Sequence, residues 1–111
     1  MEQARKYLID IKHAIELIEQ FLSEVNAYDE YVADLKTQSA VERQLGIIGE
    51  AVNQYDKQSN EETLAHTQKI IGFRNRLIHA YDAIEPSIIW TIIKNHLPAL
   101  KNEVQAKLNA L

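Results

Sequence analysis

The feature that most constrains the fold is the spacing of apolar residues over the first 25 positions of the chain. Charged residues such as Asp10 and Glu16 fall off a stripe that repeats at intervals of four and three: Ala4, Leu8, Ile11, Ile15, Ile18, Leu22 and Val25. This interval matches the turn of an α-helix and lines the apolar residues up on one face. The sequence therefore predicts a long amphipathic helix that packs against other helices.

A second helix is predicted over residues 39–55, after a linker at 26–38 with at most one helical turn. Its apolar face consists of Val41, Leu45, Ile48, Val52 and Tyr55. Gly46 and Gly49 lie inside this helix, where each is less favourable than Ala by about 1 kcal/mol. We therefore expect another helix to approach closely at these glycines.

Two further helices follow from capping signals. Ser59 and Glu62 have the spacing of a capping box and predict a third helix that runs from there toward Tyr81. Pro86 suits the first position of a fourth helix, and Pro98 should bend or break it. The apolar stripe of this last segment is Ile89, Ile93, Leu97, Leu100, Val104 and Leu108.

Length and composition agree with one helical domain. The chain has 111 residues, of which 46% are hydrophobic and 25% charged, as in ordinary globular domains. Only three Gly and two Pro are present, so hairpin turns are scarce. We predict an all-α fold, a small antiparallel bundle of four to five helices that spans residues 1–111 as a single domain.

Several classes of protein are disfavoured. Cysteine is absent, so neither a disulfide framework nor thiol chemistry is expected. No apolar run approaches the ~20 residues that cross a bilayer, and the charged first residues do not resemble a secretory signal. We expect a cytoplasmic protein without a membrane partner. Sixteen acidic residues against twelve basic ones mean that an anionic ligand needs a local basic cluster.

The residues suited to chemistry are concentrated in the segment IIGFRNRLIHAYD, residues 70–82. Arg74, Arg76 and His79 all lie in it, and no Asp or Glu occurs from Thr63 to Tyr81. An anion would meet no local repulsion in this stretch. We interpret the segment as a site for phosphate.

These residue types suit the cleavage of a phosphodiester without a metal. A neutral His79 imidazole could take the proton from a ribose 2′-hydroxyl, and the Arg74 guanidinium could stabilise the charge that develops on the phosphate. Asn75 is four residues before His79 on a helix, where its amide could fix the imidazole tautomer. Arg74 and His79 are separated by about 140° around a helix, so two copies facing each other could build a shared site.

Simpler interpretations stand beside this one. An Arg-x4-His spacing is by itself a weak motif. His79 also fits a surface residue that interacts with the helix dipole, and Tyr81 fits a core residue with its hydroxyl at the surface. Glu50 is interpreted as a buried cap or hydrogen-bond partner rather than a catalytic group, and Trp90 as a packing or interface anchor.

No metal or cofactor is expected from the sequence. His13, His66 and His96 lack the spacing of metal ligands and are interpreted as surface residues. The repeated Glu-x-x-His pairs of a di-iron helical bundle do not occur.

Three blocks of the sequence, in order, resemble the HEPN superfamily and specifically its HepT-like toxin family. Residues 70–82 match the R-x4-H-x-Y motif of that family. AVERQLGIIGEAV at 40–52 resembles its second-helix segment, and IIWTIIKNHLPAL at 88–100 its segment with a Trp and a Leu-Pro. One departure is the stretch LAHTQK before IIGFRN, where relatives often carry a Pro-Trp pair.

The resemblance implies a homodimeric HEPN-like bundle that acts as a metal-independent endoribonuclease on tRNA or mRNA. It would be the toxin of a type II HEPN/MNT toxin–antitoxin system. Arg74 and His79 match the catalytic pair, Asn75 the polar residue that often follows the Arg, and Arg76 would support the phosphate site. Tyr81 matches the tyrosine that an MNT-type nucleotidyltransferase antitoxin modifies with AMP. The alternative is a non-catalytic binding subunit of a nucleotidyltransferase, with the motif as a docking surface.

Overall fold

The computed structural model describes residues 2–58, 63–79 and 85–111, with side chains for all of these except Glu2 and residues 76–79. The described residues form six α-helices and no strand. The helices are α1 Glu2–Phe21, α2 Tyr28–Val32, α3 Leu35–Gln58, α4 Gln68–His79, α5 Pro86–Asn95 and α6 Leu97–Ala110. The prediction of an all-α helical bundle is therefore confirmed.

The centre of the bundle is the contact between α1 and α3. Leu8, Ile11 and Ile15, from the predicted stripe on α1, are each no more than 1% exposed. They meet the predicted apolar face of α3, and α6 and α4 pack on the other sides of this pair. The stripe was predicted to stay helical through Val25, but α1 ends at Phe21, and the turn that follows still packs Leu22 and Val25 against the core.

The segment predicted as a linker, residues 26–38, contains α2 and the first turn of α3. Asp34 caps α3, because its carboxylate accepts hydrogen bonds from the backbone N–H of Thr37 at 3.0 Å and from the Thr37 hydroxyl at 2.6 Å. The amide of Gln38 donates to the carbonyl oxygens of Tyr31 and Val32, which end α2. The second helix therefore begins four residues before the predicted Ser39.

The third helix begins later than predicted. Ser59 and Glu62, the predicted capping box, lie outside the described residues, and residues 63–67 are not helical. The backbone N–H of Leu64 donates to Asp56 on α3, and that of Ala65 donates to Glu103 on α6. These two carboxylates hold the segment across the end of the bundle, so α4 starts only at Gln68.

The last two helices follow the predicted boundaries. Pro86 occupies the first turn of α5, after Glu85 at the N-cap. The helical run breaks at His96, because Pro98 in the first turn of α6 has no N–H with which to continue the α5 ladder. Trp90 packs against Tyr31 and Tyr28, with ring centroids 5.4 and 5.9 Å apart, and so connects α5 to α2. This agrees with its interpretation as a packing residue.

Gly49 lets α4 lie directly on α3. A Cβ atom at residue 49 would stand 2.7 Å from the Cβ of Arg74 and 3.4 Å from the carbonyl oxygen of Ile70. Cβ atoms in proteins essentially never come this close, so the crossing requires glycine. The expectation of a close helix approach is confirmed at Gly49. Gly72 differs, because a Cβ there would meet no described atom within 4 Å.

The two glycines give a matched test of this contact. Alanine is favoured over glycine inside a helix by about 1 kcal/mol, so Gly72→Ala should raise the free energy of unfolding by up to that amount. Gly49→Ala should instead lower it by about 1–3 kcal/mol, because overpacking outweighs the gain in helix propensity. Urea denaturation followed by circular dichroism measures both. Equal stabilisation by the two substitutions would contradict the crossing described here.

Candidate active site

The Arg74 side chain lies between α3 and α4 and is 24% exposed. Its Cβ rests on the backbone of Gly49, so the rest of the side chain extends along α3 toward the next residue, Glu50. The Nη2 atom forms an ion pair with the Glu50 carboxylate. The Nη1 atom donates a hydrogen bond to the Oδ1 atom of Asn75 at 3.3 Å. The guanidinium is thus held from two helices.

Glu50 is itself held by a neighbour on α3. Its Oε1 atom accepts a hydrogen bond from the Gln54 amide at 3.0 Å, while its Oε2 atom faces Arg74. The hydrogen bond from Gln54, together with the hydrogen bond and positive charge of Arg74, lowers the pKa of the Glu50 carboxyl. Glu50 is therefore ionised at neutral pH. Its interpretation as a hydrogen-bond partner is confirmed, but the expectation that it is buried is wrong, since its side chain is 48% exposed.

This arrangement orients Arg74 without using all of its donors. A guanidinium carries five N–H groups in one plane. Glu50 and Asn75 engage one each, which leaves three that no described residue engages. A planar group fixed in this way can still present donors to an oxyanion such as a phosphate. Glu50 and Asn75 therefore act as orienting residues for Arg74.

The other predicted site residues are only partly described. His79 is the last residue of α4, so the backbones of Arg74, Asn75 and His79 share one helix. The side chains of Arg76 and His79 lie outside the described residues, as does the whole of Tyr81. The structure therefore brings together Arg74 and Asn75, while the position of the imidazole relative to Arg74 stays a prediction.

Sequence reasoning missed Gln54 and the partner of Glu50. The spacing of Glu50 and Gln54, four residues apart on a helix, was a local signal that their side chains meet. The pairing of Glu50 with Arg74 carries no such signal, because the two residues are 24 positions apart and meet only when α4 crosses α3.

The histidines are dispersed. His13 and His66 are exposed and His96 is half-buried, as expected for surface positions. In the described part of the chain, no three His, Asp or Glu side chains are grouped closely enough to hold a metal ion. None of the described helices has the length and apolar character of a membrane span.

Comparison with known families now adds to the geometry. The family model described as "Ribonuclease HepT-like" matches residues 11–106. The chain belongs to the HepT-like ribonuclease family. The expected membership of the HEPN superfamily is thereby confirmed, and with it the helical-bundle fold.

Relatives of this HepT-like chain cover nearly its whole length. It is 36% identical over 110 residues to "Probable ribonuclease HepT" of Thermococcus cleftensis, which covers 95% of this chain and 96% of the relative. It is 31% identical to a "Putative RNase" of Methanocaldococcus jannaschii, over 91% of this chain and 93% of the relative. A "Putative RNase" of Caldanaerobacter subterraneus subsp. tengcongensis is also 31% identical, over 95% of this chain and 94% of the relative. No solved structure gives a significant match.

The ion pair of the HepT-like chain predicts a pH-dependent coupling between Glu50 and Arg74. A double-mutant cycle with Glu50→Gln and Arg74→Gln should give a coupling free energy of about 0.2–1 kcal/mol at pH 7, the range for a solvent-exposed pair. The folded pKa of Glu50 is lowered, so this stabilisation is present above the unfolded pKa and is lost as pH falls through the folded one. Chemical denaturation over a series of pH values from 7 downward measures it. A coupling that does not fall as the Glu50 carboxylate becomes protonated would show that the pair is not ionic.

Proposed function

We propose that this chain is a metal-independent endoribonuclease in which Arg74 and His79 act on the same RNA phosphate. The observation that carries the proposal is the Arg74 guanidinium, held by Glu50 and Asn75 on a helix that ends at His79. That helix contains no Asp or Glu, although the ionised Glu50 of α3 lies against Arg74 and offsets part of its charge. Family membership and the relatives named as ribonucleases support the same activity.

The reaction proposed is internal transesterification. His79 takes the proton from a ribose 2′-hydroxyl, and the 2′-oxygen attacks the adjacent phosphorus. The bond from phosphorus to the 5′-oxygen breaks, and that oxygen receives a proton as it leaves. The products are a 2′,3′-cyclic phosphate and a 5′-hydroxyl end. Arg74 stabilises the negative charge that grows on the non-bridging oxygens.

We propose further that the site is completed by a second copy of the chain. Arg74 extends toward α3, and position 79 is turned from position 74 by about 140° on a regular helix. One copy then supplies the arginine and the other the histidine. The orientation of Arg74 over α3 supports this arrangement, because it draws the guanidinium away from the face of α4 on which position 79 falls.

Single substitutions test the chemistry. His79→Ala should slow RNA cleavage by about 10²–10⁴-fold, since it removes the proton-transfer group. Arg74→Ala should slow it by about 10²–10³-fold, since it removes a donor to the transition state. His13→Ala and Arg43→Ala, at exposed positions on α1 and α3, are the matched controls and should cleave normally. Sequencing of RNA ends identifies the cleavage products. Cleavage rates measured with and without EDTA test whether a metal is needed.

Mixing the inactive variants tests the composite site. A heterodimer of Arg74→Ala and His79→Ala retains one intact Arg–His pair if the two residues come from different copies, and none if they come from the same copy. Co-refolded mixtures should therefore regain activity that neither variant shows alone. Cleavage that survives His79→Ala, or that EDTA abolishes and magnesium restores, contradicts the mechanism. A folded wild type that never cleaves RNA favours the non-catalytic binding subunit.

We also propose that the chain is the toxin of a toxin–antitoxin pair and that an MNT-type nucleotidyltransferase neutralises it. The partner would transfer AMP from ATP to the Tyr81 hydroxyl and release pyrophosphate. Each transferred AMP adds about one negative charge near Arg74 and Arg76, where it competes with RNA phosphate. The family resemblance and the position of Tyr81, two residues after His79, support this role.

Tyr81 is therefore the expected control point. Wild-type protein co-expressed with its nucleotidyltransferase should gain mass in AMP-sized steps and lose ribonuclease activity. Tyr81→Phe should fold, gain no such mass and keep cleaving RNA in the presence of the partner. Intact-mass spectrometry checks the modification, and Tyr7→Phe serves as the control substitution. Equal mass gain by wild type and Tyr81→Phe would assign the modification to another residue.

A further inference from the structure

A groove of about 660 Å³ separates α4 from α5, and the site described above does not include it. Its floor is apolar and contains Phe73 and Ile92, both buried, and Ile88, which is half-buried. Its rim is polar and contains Lys69 and Thr91, both exposed. An apolar floor with a few polar groups around it is the usual form of a small-ligand site, and the volume falls in the usual range.

The two helices beside this groove are more basic than the rest of the chain. Neither α4 nor α5 contains an Asp or a Glu, although the chain has sixteen acidic residues. The two helices carry the cations Lys69, Arg74, Arg76 and Lys94. Of these cations, Lys69 lies on the groove itself, while Arg74 lies on the opposite side of α4, against α3. The positive charge of Lys69, with no acidic residue on either helix, therefore favours an anion over an apolar peptide as occupant.

The groove follows α4 toward the end that carries the catalytic histidine. Gly72 lines the groove, and a Cβ atom on it would have no described atom within 4 Å. Position 79 comes seven residues later, which is nearly two full helical turns. Its backbone therefore lies on the same side of α4 as Gly72, about 10 Å further along the helix axis. A ligand in the groove thus extends along the same side of α4 toward that position. Arg74 lies on the other side, against α3.

We propose that this groove binds one unpaired nucleotide of the RNA substrate, next to the phosphate that is cleaved. The inference rests on the ribonuclease function proposed above and names the class of substrate, single-stranded RNA. The base lies on the floor formed by Phe73, Ile88 and Ile92. Lys69 contacts the neighbouring phosphate. A base held in a duplex cannot enter, so paired RNA is a poor substrate.

The rim supplies hydrogen-bonding groups for the nucleotide. The Thr91 hydroxyl donates to the carbonyl oxygen of Ser87 at 2.9 Å, which leaves the Thr91 oxygen as an acceptor. The exposed Gln68 amide, on the opposite wall, offers both a donor and an acceptor. These groups tolerate more than one base, so the groove sets a preference for unstacked nucleotides more than for a strict sequence.

Gly72 provides the test, because a Cβ atom there meets no described atom within 4 Å, so a larger side chain can extend from α4 into the groove. All binding is measured in the His79→Ala background, which cannot cleave, with a fluorescent single-stranded RNA oligonucleotide as the probe. Gly72→Leu should weaken binding by about tenfold or more, the loss expected when one base loses its platform. Gly72→Ala should have a smaller effect, because a methyl group occupies little of the volume.

Lys69 is tested by salt dependence. A single phosphate contact to single-stranded nucleic acid contributes about 0.7 to the slope of log affinity against log salt. Lys69→Gln should reduce the slope by about that amount. Lys6→Gln, at an exposed position on α1, is the matched control and should leave the slope unchanged. In the active protein, Gly72→Leu should raise KM for single-stranded RNA more than it lowers kcat.

The outcomes separate this inference from the proposed function. If the His79→Ala protein binds RNA equally with Gly72 and with Leu at position 72, the groove assignment is wrong while the nuclease stands. The assignment also fails if Lys6→Gln and Lys69→Gln change the salt slope equally, or if duplex RNA competes as well as single strands. If the folded wild type neither binds nor cleaves RNA, the proposed function itself is wrong. If Gly72→Leu changes only inhibition by the nucleotidyltransferase, the groove is a protein-docking site instead.

Discussion

The contact between Gly49 and Arg74 is the constraint on which the rest of the site depends. Because residue 49 has no side chain, the backbone of α4 approaches α3 until the Arg74 Cβ rests on it. The guanidinium then reaches Glu50, one residue further along α3. The close packing of the two helices therefore also determines where the proposed phosphate-binding group lies. A larger residue at 49 would change the orientation of Arg74 together with the stability of the bundle.

The ion pair that orients Arg74 also offsets its positive charge. How strongly it does so depends on how far Glu50 is exposed to water. Glu50 is half exposed, so water weakens its attraction to Arg74 to the small value typical of surface pairs. In the proposed site, an incoming phosphate could therefore share or displace the carboxylate at little cost, and it could also reach the N–H groups that no described residue engages. A fully buried pair would have fixed the arginine more firmly, but breaking it would have been far more costly.

The features that could be predicted from the sequence are those encoded by neighbouring residues. The stripe on α1 and the positions of Pro86 and Pro98 are local signals, and the structure follows them closely. An interior Gly49 indicated a helix crossing, because an unfavourable residue needs a compensating contact. The start of α4 could not be predicted, since it is set by the carboxylates of Asp56 and Glu103, from two other helices. The pairing of Arg74 with Glu50 could not be predicted for the same reason, because Glu50 lies on another helix.

We propose that the two sides of α4 have separate roles, and this division would let an acidic chain bind RNA. One side packs Arg74 on α3, and the other lines the groove with α5. Outside these two helices the chain carries all sixteen of its acidic residues, which repel RNA that is not seated. A uniformly basic surface would hold any RNA through its phosphates. In the arrangement we propose, affinity requires that an unpaired nucleotide enter the groove, so the excess of negative charge would favour selective binding.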